Sequence, residues 1–378
     1  MMHIGFLLNH YTGHQAYHVL PIAYALSGNK DVKVSIIVSS TALHKMARDL
    51  GDVWGAHRCH IIKAHVPFWV DLIDPLTRQF IFLKKKAVLD HNTALFKTLR
   101  ALVVPEKTSL SLKKHKALAH LKMIRIRHGA GDRATGLDNS NKAFDLILTS
   151  GQKMQERLMS DQNIAKEKLP IIGYPKFDMI DKLPPPRPLF NNNKKTVLYN
   201  PHFRRDESSW VKMGMDVLHF FKDNKDYNLI FAPHILLYQR ALRHGAKNLH
   251  AFKNCPNIHI DTGSDALIDM TYTRQADIYL GDVSSQIYEF LRQPRPCLFL
   301  NAHHIHDWQN KQTFKHWQCG DVCESIDDLE HALTQIDTWK NRYLHTQKQL
   351  LDDTFSQKGT ASRNAARAIV NYLEITQG

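Results

Sequence analysis

At 378 residues, with 43% apolar and 23% charged side chains, the chain has the composition of a globular protein and the length for two domains, each with its own core. No stretch approaches the roughly eighteen consecutive apolar residues of a membrane span, and five scattered cysteines, an odd number, argue against a disulfide framework and for reduced thiols. The net charge of +14 calls for an anionic partner such as a phosphorylated substrate or an acidic lipid surface, and no nucleic-acid motif accompanies it.

Residues 1–8 are apolar but have neither a basic leader nor a small-residue cleavage site, so they are expected to form the first strand of a cytoplasmic protein. Short β-rich runs then alternate with helical stretches, the pattern of a parallel sheet covered by helices. Strands are expected at residues 3–8, 32–38, 60–63, 123–127, 144–148 and 170–173, and helices at 16–26, 41–50, 75–102 and 152–159. The loop after the first strand, Asn9-His10-Tyr11-Thr12-Gly13-His14, is polar and opens a helix with a glycine. Ligand loops of doubly wound folds look like this, although the GxGxxG fingerprint is missing.

Basic residues gather in two places. Lys84, Lys85 and Lys86 form one cluster, and residues 107–131 carry Lys107, Lys113, Lys114, Lys116, Lys122, Arg125 and Arg127 with no acidic residue. A solvated helix face would explain them; an anionic membrane or polymer surface is the other expectation. The expected strand at 123–127 ends in His128-Gly129-Ala130-Gly131-Asp132. A histidine there suits a general base, because imidazole titrates near neutral pH, and the glycines let a substrate approach the backbone.

The run Leu183-Pro184-Pro185-Pro186-Arg187-Pro188 and the following Asn191-Asn192-Asn193 can continue neither a helix nor a central strand. They divide the chain into an N-terminal domain (residues 1–183), a linker (184–195) and a C-terminal domain (196–378). Strands are expected in the second half at 196–200, 228–232, 257–260, 276–280 and 296–300, with helices at 210–222, 236–246, 284–291, 326–335, 339–351 and 361–375. The expected fold is α/β, two Rossmann-type doubly wound parallel sheets facing a cleft.

In a parallel sheet the strand ends would carry the chemistry. The strand at 196–200 leads into Pro201-His202-Phe203-Arg204, that at 228–232 into Pro233-His234, and that at 276–280 into Gly281-Asp282-Val283-Ser284-Ser285. Free N–H groups at a helix start, the hydroxyls of Ser284 and Ser285, and cationic Arg204, His202 and His234 would bind a diphosphate without a metal. Asp282 or Ser284 as a mere helix cap, Arg204 in a surface ion pair and His234 in the core are the plainer alternatives. There is no Asp-x-Asp pair, and His316, Cys319 and Cys323 lack a fourth ligand and a standard zinc spacing, so neither metal nor cofactor is expected.

Taken together these motifs resemble the CDP-glycerol glycerophosphotransferases, the teichoic-acid primase and polymerase group. His128-Gly129 resembles that family's Trp-His-Gly motif, Gly173-Tyr174-Pro175-Lys176-Phe177-Asp178 its Gly-Tyr-Pro-Arg-x-Asp, and Asn200-Pro201-His202-Phe203-Arg204 its Ala-Pro-Thr-Phe-Arg. Pro233-His234 is similar to its second essential histidine, and Gly281 to Ser285, followed by Glu289-Phe290, to its Thr-Asp-Tyr-Ser-Ser and Phe-Asp-Phe. Arg127, Ala130, Gly131 and His202 depart from the pattern.

The resemblance implies a GT-B-like fold and transfer of a polyol phosphate from CDP-glycerol or CDP-ribitol to a hydroxyl of a sugar or growing surface polymer, such as teichoic acid or capsule, with release of CMP. His128 and His234 would be catalytic; Arg204, Asp282, Ser284 and Ser285 would hold the donor phosphates; His202 and Glu289 would hold the nucleotide. Asn9, His10, Gly13, Gly129 and Asp132 would line the acceptor side. A lipid-linked acceptor would suit an enzyme peripheral to the inner face of the plasma membrane. The alternatives are a nucleotide-sugar glycosyltransferase on the same fold and a non-catalytic protein that docks on anionic glycan or lipid.

Overall fold

The computed structural model describes residues 1–10, 13–56, 58–77, 82–127, 129–131, 138–239, 247–356 and 359–376. The chain forms two compact units, one of Met1–His128, Gly136–Pro184 and Asp352–Gly378, the other of Gly129–Thr135 and Pro185–Leu351.

The first unit is built on strands β1 (Met2–Leu8), β2 (Val32–Val38), β3 (Cys59–Lys63), β4 (Ala101–Val104), β5 (Lys122–Ile126) and β6 (Leu146–Leu148). They make one parallel sheet in the order β3-β2-β1-β4-β5-β6. Near-continuous aliphatic runs such as Ala101-Leu102-Val103-Val104, every residue buried, suit strands covered on both faces. Because β4 and not β2 continues the sheet on the far side of β1, the strand order reverses between β1 and β4.

The helix expected over 75–102 is broken. Helices Phe68–Thr77, Leu83–Asp90 and Thr93–Lys97 precede β4. Four apolar residues before a proline carry no periodicity that separates strand from helix, which is why β4 escaped the pattern. Residues 170–173 form no strand, only an isolated parallel bridge between Thr149 and Ile171.

The Gly173-to-Asp178 motif is a clamp. Tyr174 packs its ring against His18, Phe177 and Phe355, with centroids 5.0, 4.8 and 4.8 Å away. Asp178 accepts the Ser362 N–H at 2.6 Å, at the start of the terminal helix Ala361–Ile375. These contacts hold the chain's end in the first unit, whereas the sequence pattern draws one boundary at 184–195 and assigns everything after it to the second domain.

In the second unit β7 (Thr196–Asn200), β8 (Asn228–Phe231), β9 (Ile258–Ile260), β10 (Ile278–Gly281), β11 (Cys297–Leu300) and β12 (Asp321–Cys323) pair in the order β12-β11-β10-β7-β8-β9, all parallel. The short β12 was not expected, since Asp-Val-Cys is too brief to show alternation. Beneath the sheet lies a core of Val197, Trp210, Val217, Phe221, Phe231 and Phe252, with Trp210 stacked on Phe231 at 4.9 Å. Large rings of this kind supply most of the area that such a core removes from water. Here the strand order reverses between β10 and β7. Both units are thus doubly wound α/β structures of Rossmann type, as expected.

Candidate functional site

In open parallel sheets ligands bind beyond the carboxyl ends of the strands where the order reverses. In the second unit that point is stitched together by polar side chains. Asn200, last in β7, donates its Nδ2–H to the Ala232 carbonyl just beyond β8 at 2.6 Å, and the Tyr279 hydroxyl of β10 donates to Asn200 Oδ1 at 3.3 Å.

Asp282 anchors the loops that follow. Its carboxylate, 1% exposed, accepts the N–H groups of His202 (2.9 Å), Ser209 (2.7 Å) and Val283 (2.6 Å) and the Ser209 hydroxyl (2.9 Å). From the other side His316 Nε2 and Trp317 Nε1 both donate to the Asp282 carbonyl at 2.8 Å. Burial pushes the carboxyl above its ordinary range, and the bonds from Ser209, Val283 and His202 oppose that rise. Enclosed in this way, the carboxylate fixes the backbone of His202, Ser209 and Val283.

That scaffold holds two imidazoles side by side. The rings of His202 and His234 lie 5.3 Å apart, with Phe203 packed 4.4 Å from the first and 4.6 Å from the second. Each Nδ1 accepts a backbone N–H two residues on: Arg204 to His202 at 3.3 Å and Leu236 to His234 at 3.2 Å. With Nδ1 used as an acceptor, the neutral ring carries its proton on Nε2 and can donate it.

The remaining donor-side residues differ in their freedom. Arg204 is exposed and forked onto Asp206 at 3.1 and 2.6 Å, with Glu207 3.6 Å away; the Asp206 bonds raise its pKa. Ser284 is buried, Ser285 is exposed, and the helix after them is short, Gln286–Phe290. Its five peptides carry little macrodipole, so donors at this point are side chains more than a helix terminus. Glu289 is buried, not surface-facing. The expected helix at 236–246 is described only for Leu236–Gln239.

The glycine loop of residues 129–131 belongs to the same unit. Gly129 has φ +82°, a backbone conformation that favours glycine, and a Cβ on Gly131 would come to 3.0 Å from the Ser285 Cβ, a contact that Ser285 would have to relieve. His128 and Asp132 lie outside the described residues.

In the first unit Asn9, His10 and Gly13 stand after β1. Asn9 is buried and donates its amide to the Lys85 carbonyl at 2.9 Å. His10 Nε2 is 3.5 Å from Glu106, and Gly13 opens a short 3₁₀ turn. The basic stretch after β4 is partly consumed inside the fold. Lys107 pairs with Asp138, Lys113 with Asp145 at 2.8 Å, and Arg125 with Asn141. Burial pushes the guanidinium of Arg125 down to about 10 and that of Arg127 to about 9. Lys85 is likewise turned inward to Glu106, and Lys84 pairs with Asp71 at 2.7 Å. Among the described residues no helix is long and apolar enough to cross a membrane.

Pattern reading singled out His202, His234 and Asp282, which the fold brings to one sheet edge, but not the residues that brace them. Ser209 could have been seen as a serine before a helical run, whereas His316 and Trp317 arrive from 34 and 35 residues away with no local signal.

The fold is similar to that of solved enzymes. The wall teichoic acid polymerase TagF aligns over 100% of this chain and 90% of its own, with 14% identity and a TM-score of 0.65. UDP-GlcNAc 2-epimerase from Neisseria meningitidis, bound to UDP-GlcNAc, aligns over 98% of this chain and 100% of its own at 12% identity and 0.60. The S. aureus MnaA–UDP structure aligns over 100% of this chain and 98% of its own at 13% identity and 0.62. No curated protein matches in sequence. The family model for CDP-Glycerol:Poly(glycerophosphate) glycerophosphotransferase, however, matches residues 77–373. The chain therefore belongs to the CDP-glycerol:poly(glycerophosphate) glycerophosphotransferase family and is an enzyme of that CDP-glycerol type.

Proposed function

We propose that the reversal point of the second unit holds the diphosphate of CDP-glycerol, and that the enzyme passes glycerol phosphate to a hydroxyl of a teichoic-acid-like or capsular polymer. The observation that carries this reading is the His202–His234 pair, two rings 5.3 Å apart, each with Nδ1 occupied by a backbone N–H. An imidazole whose Nδ1 accepts a backbone N–H presents Nε2–H as a donor, the group that a phosphate oxygen takes. Ser285 adds a hydroxyl, and Arg204 exchanges Asp206 for the donor. Its flexible, exposed fork makes that exchange cheap.

In the reaction His128 takes the proton of the acceptor hydroxyl, and the oxygen attacks the β-phosphorus. The bond from that phosphorus to the bridging oxygen breaks, and CMP leaves with the electron pair. His202, His234 and Ser285 meet the charge that develops on the phosphates. The proton-accepting role of His128 rests on its place in the motif His128-Gly129, where imidazole titrates near neutral pH. A solved TagF variant was soaked with CDPG, which supports the same donor here.

Membrane contact, in this reading, is made by a cytoplasmic enzyme through the helix Phe68–Thr77 and not through the residues after β4. Phe68, Trp69 and Leu72 are 81%, 57% and 66% exposed on it, and a face bearing two aromatic rings fits the interfacial zone of a bilayer.

The test is release of CMP from CDP-glycerol in the presence of oligo(glycerol phosphate), with CDP-ribitol and UDP-GlcNAc as competing donors. Acceptor-dependent CMP release, lost by about a hundredfold or more in His128→Ala, supports the proposal. Turnover of UDP-GlcNAc alone, or an unimpaired His128→Ala, refutes it.

A further inference from the structure

We infer that the reversal point of the first unit, between β1 and β4, is a hydroxyl-recognising subsite centred on Glu106 that takes the polyol end of the acceptor. The inference rests on the transferase reading above and names residues that no family motif includes.

Glu106 lies two residues beyond β4, beside the end of β1. Its two carboxylate oxygens accept from Lys85 Nζ at 2.8 and 2.9 Å, and the carboxylate also accepts from Gln15 Nε2 at 3.2 Å and from the Thr108 hydroxyl at 3.3 Å. His10 Nε2 approaches to 3.5 Å. The group is assembled from three separate segments of chain, at the place where open sheets take ligands.

Two amide oxygens show what it is built to receive. Asn9 and Gln15 are 4% and 2% exposed, and each spends its amide N–H inside the group, on the Lys85 carbonyl and on Glu106. Their oxygens, Asn9 Oδ1 and Gln15 Oε1, are buried without a hydrogen-bond partner. Buried acceptors are nearly always satisfied, and two orphaned oxygens on residues bonded to Lys85 and Glu106 mark where a donor belongs.

The chemistry of that donor follows by exclusion. An anion would meet a carboxylate and two carbonyl-type oxygens; a cation would meet the Lys85 ammonium already seated on Glu106. A neutral hydroxyl can donate to an amide oxygen or to Glu106 with neither conflict, and a polyol offers several at the spacing of neighbouring carbons. It enters past Glu106 and His10, whose side chains keep 14% and 22% exposure.

Steady-state kinetics with CDP-glycerol and oligo(glycerol phosphate), each varied in turn, test this. Glu106→Gln keeps the shape but weakens the acceptor, and is expected to raise the KM for the oligomer about tenfold or more while leaving the KM for CDP-glycerol within about twofold. Gln15→Met, which removes one orphaned oxygen and spares the Lys85–Glu106 pair, is expected to raise the oligomer KM several-fold, and it decides the matter if Glu106→Gln does not fold. An unchanged oligomer KM in the folded variant, or a rise confined to the CDP-glycerol KM, overturns the inference. A wild-type enzyme that releases no CMP from CDP-glycerol would refute the donor reading instead, so the two failures are distinct.

Discussion

Each unit places one carboxylate where its strand order reverses, and the two are treated in opposite ways. Asp282 is closed in by main-chain N–H groups of three residues and its own carbonyl is pinned by His316 and Trp317. Glu106 is held by side chains, Lys85, Gln15 and Thr108, and keeps a solvent-facing edge. Main-chain donors cannot turn away without unfolding the loops that carry them, so a carboxylate satisfied by them serves as architecture. Side-chain donors can rearrange, so a carboxylate satisfied by them stays available to a ligand. In the second unit the groups proposed to meet the ligand are accordingly not the acid but the two imidazoles.

The largest expected effect breaks that comparison directly. Asp282→Ala strands several buried N–H groups at about 1–3 kcal/mol each, and is expected to lower stability in urea by about 3 kcal/mol or more. Glu106→Gln, whose donors can relax, is expected to cost no more than about 1.5 kcal/mol. Equal losses in the two would show that both acids are structural. Next comes His234→Gln. It should lower kcat about a hundredfold, the scale of a lost transition-state donor, while the melting temperature stays near that of the wild type; a normal rate would remove the imidazole pair from the chemistry.

Smaller effects sharpen the picture. Arg204→Ala is expected to raise the CDP-glycerol KM on the order of tenfold, because a forked guanidinium is lost from the phosphates, and an unaltered KM would mean that the arginine never leaves Asp206. Smallest is Gly131→Ala. Its new methyl would press on Ser285 at 3.0 Å, and a drop in kcat of about threefold is expected, with contacts this close costing up to about 1 kcal/mol when the neighbour can yield. A larger drop would place Ser285 nearer to the reacting atoms than proposed.

Much of the second unit could be read from sequence because its strands end abruptly. Apolar runs stop at Asn200-Pro201, Ala232-Pro233 and Gly281-Asp282, so the residues at the carboxyl edge declare themselves. The first unit hid its edge. With Ala101 and Leu102 absorbed into an expected helix and only Val103-Val104 left over, Glu106 had no strand to follow and Lys85 looked like part of a basic surface. The charge of residues 107–127 was only half legible for a related reason: Asp138 and Asp145, the partners of Lys107 and Lys113, come later in the chain and only the fold brings them back. His316 and Trp317 were beyond reach altogether, since nothing in their neighbourhood refers to the strand they brace.

The most direct test varies both substrates against two variants in one CMP-release assay. The account predicts that His234→Gln damages kcat and the use of CDP-glycerol, and that Glu106→Gln damages only the KM for oligo(glycerol phosphate). If both variants impair the same kinetic parameter to the same extent, the assignment of donor and acceptor to the two reversal points is contradicted.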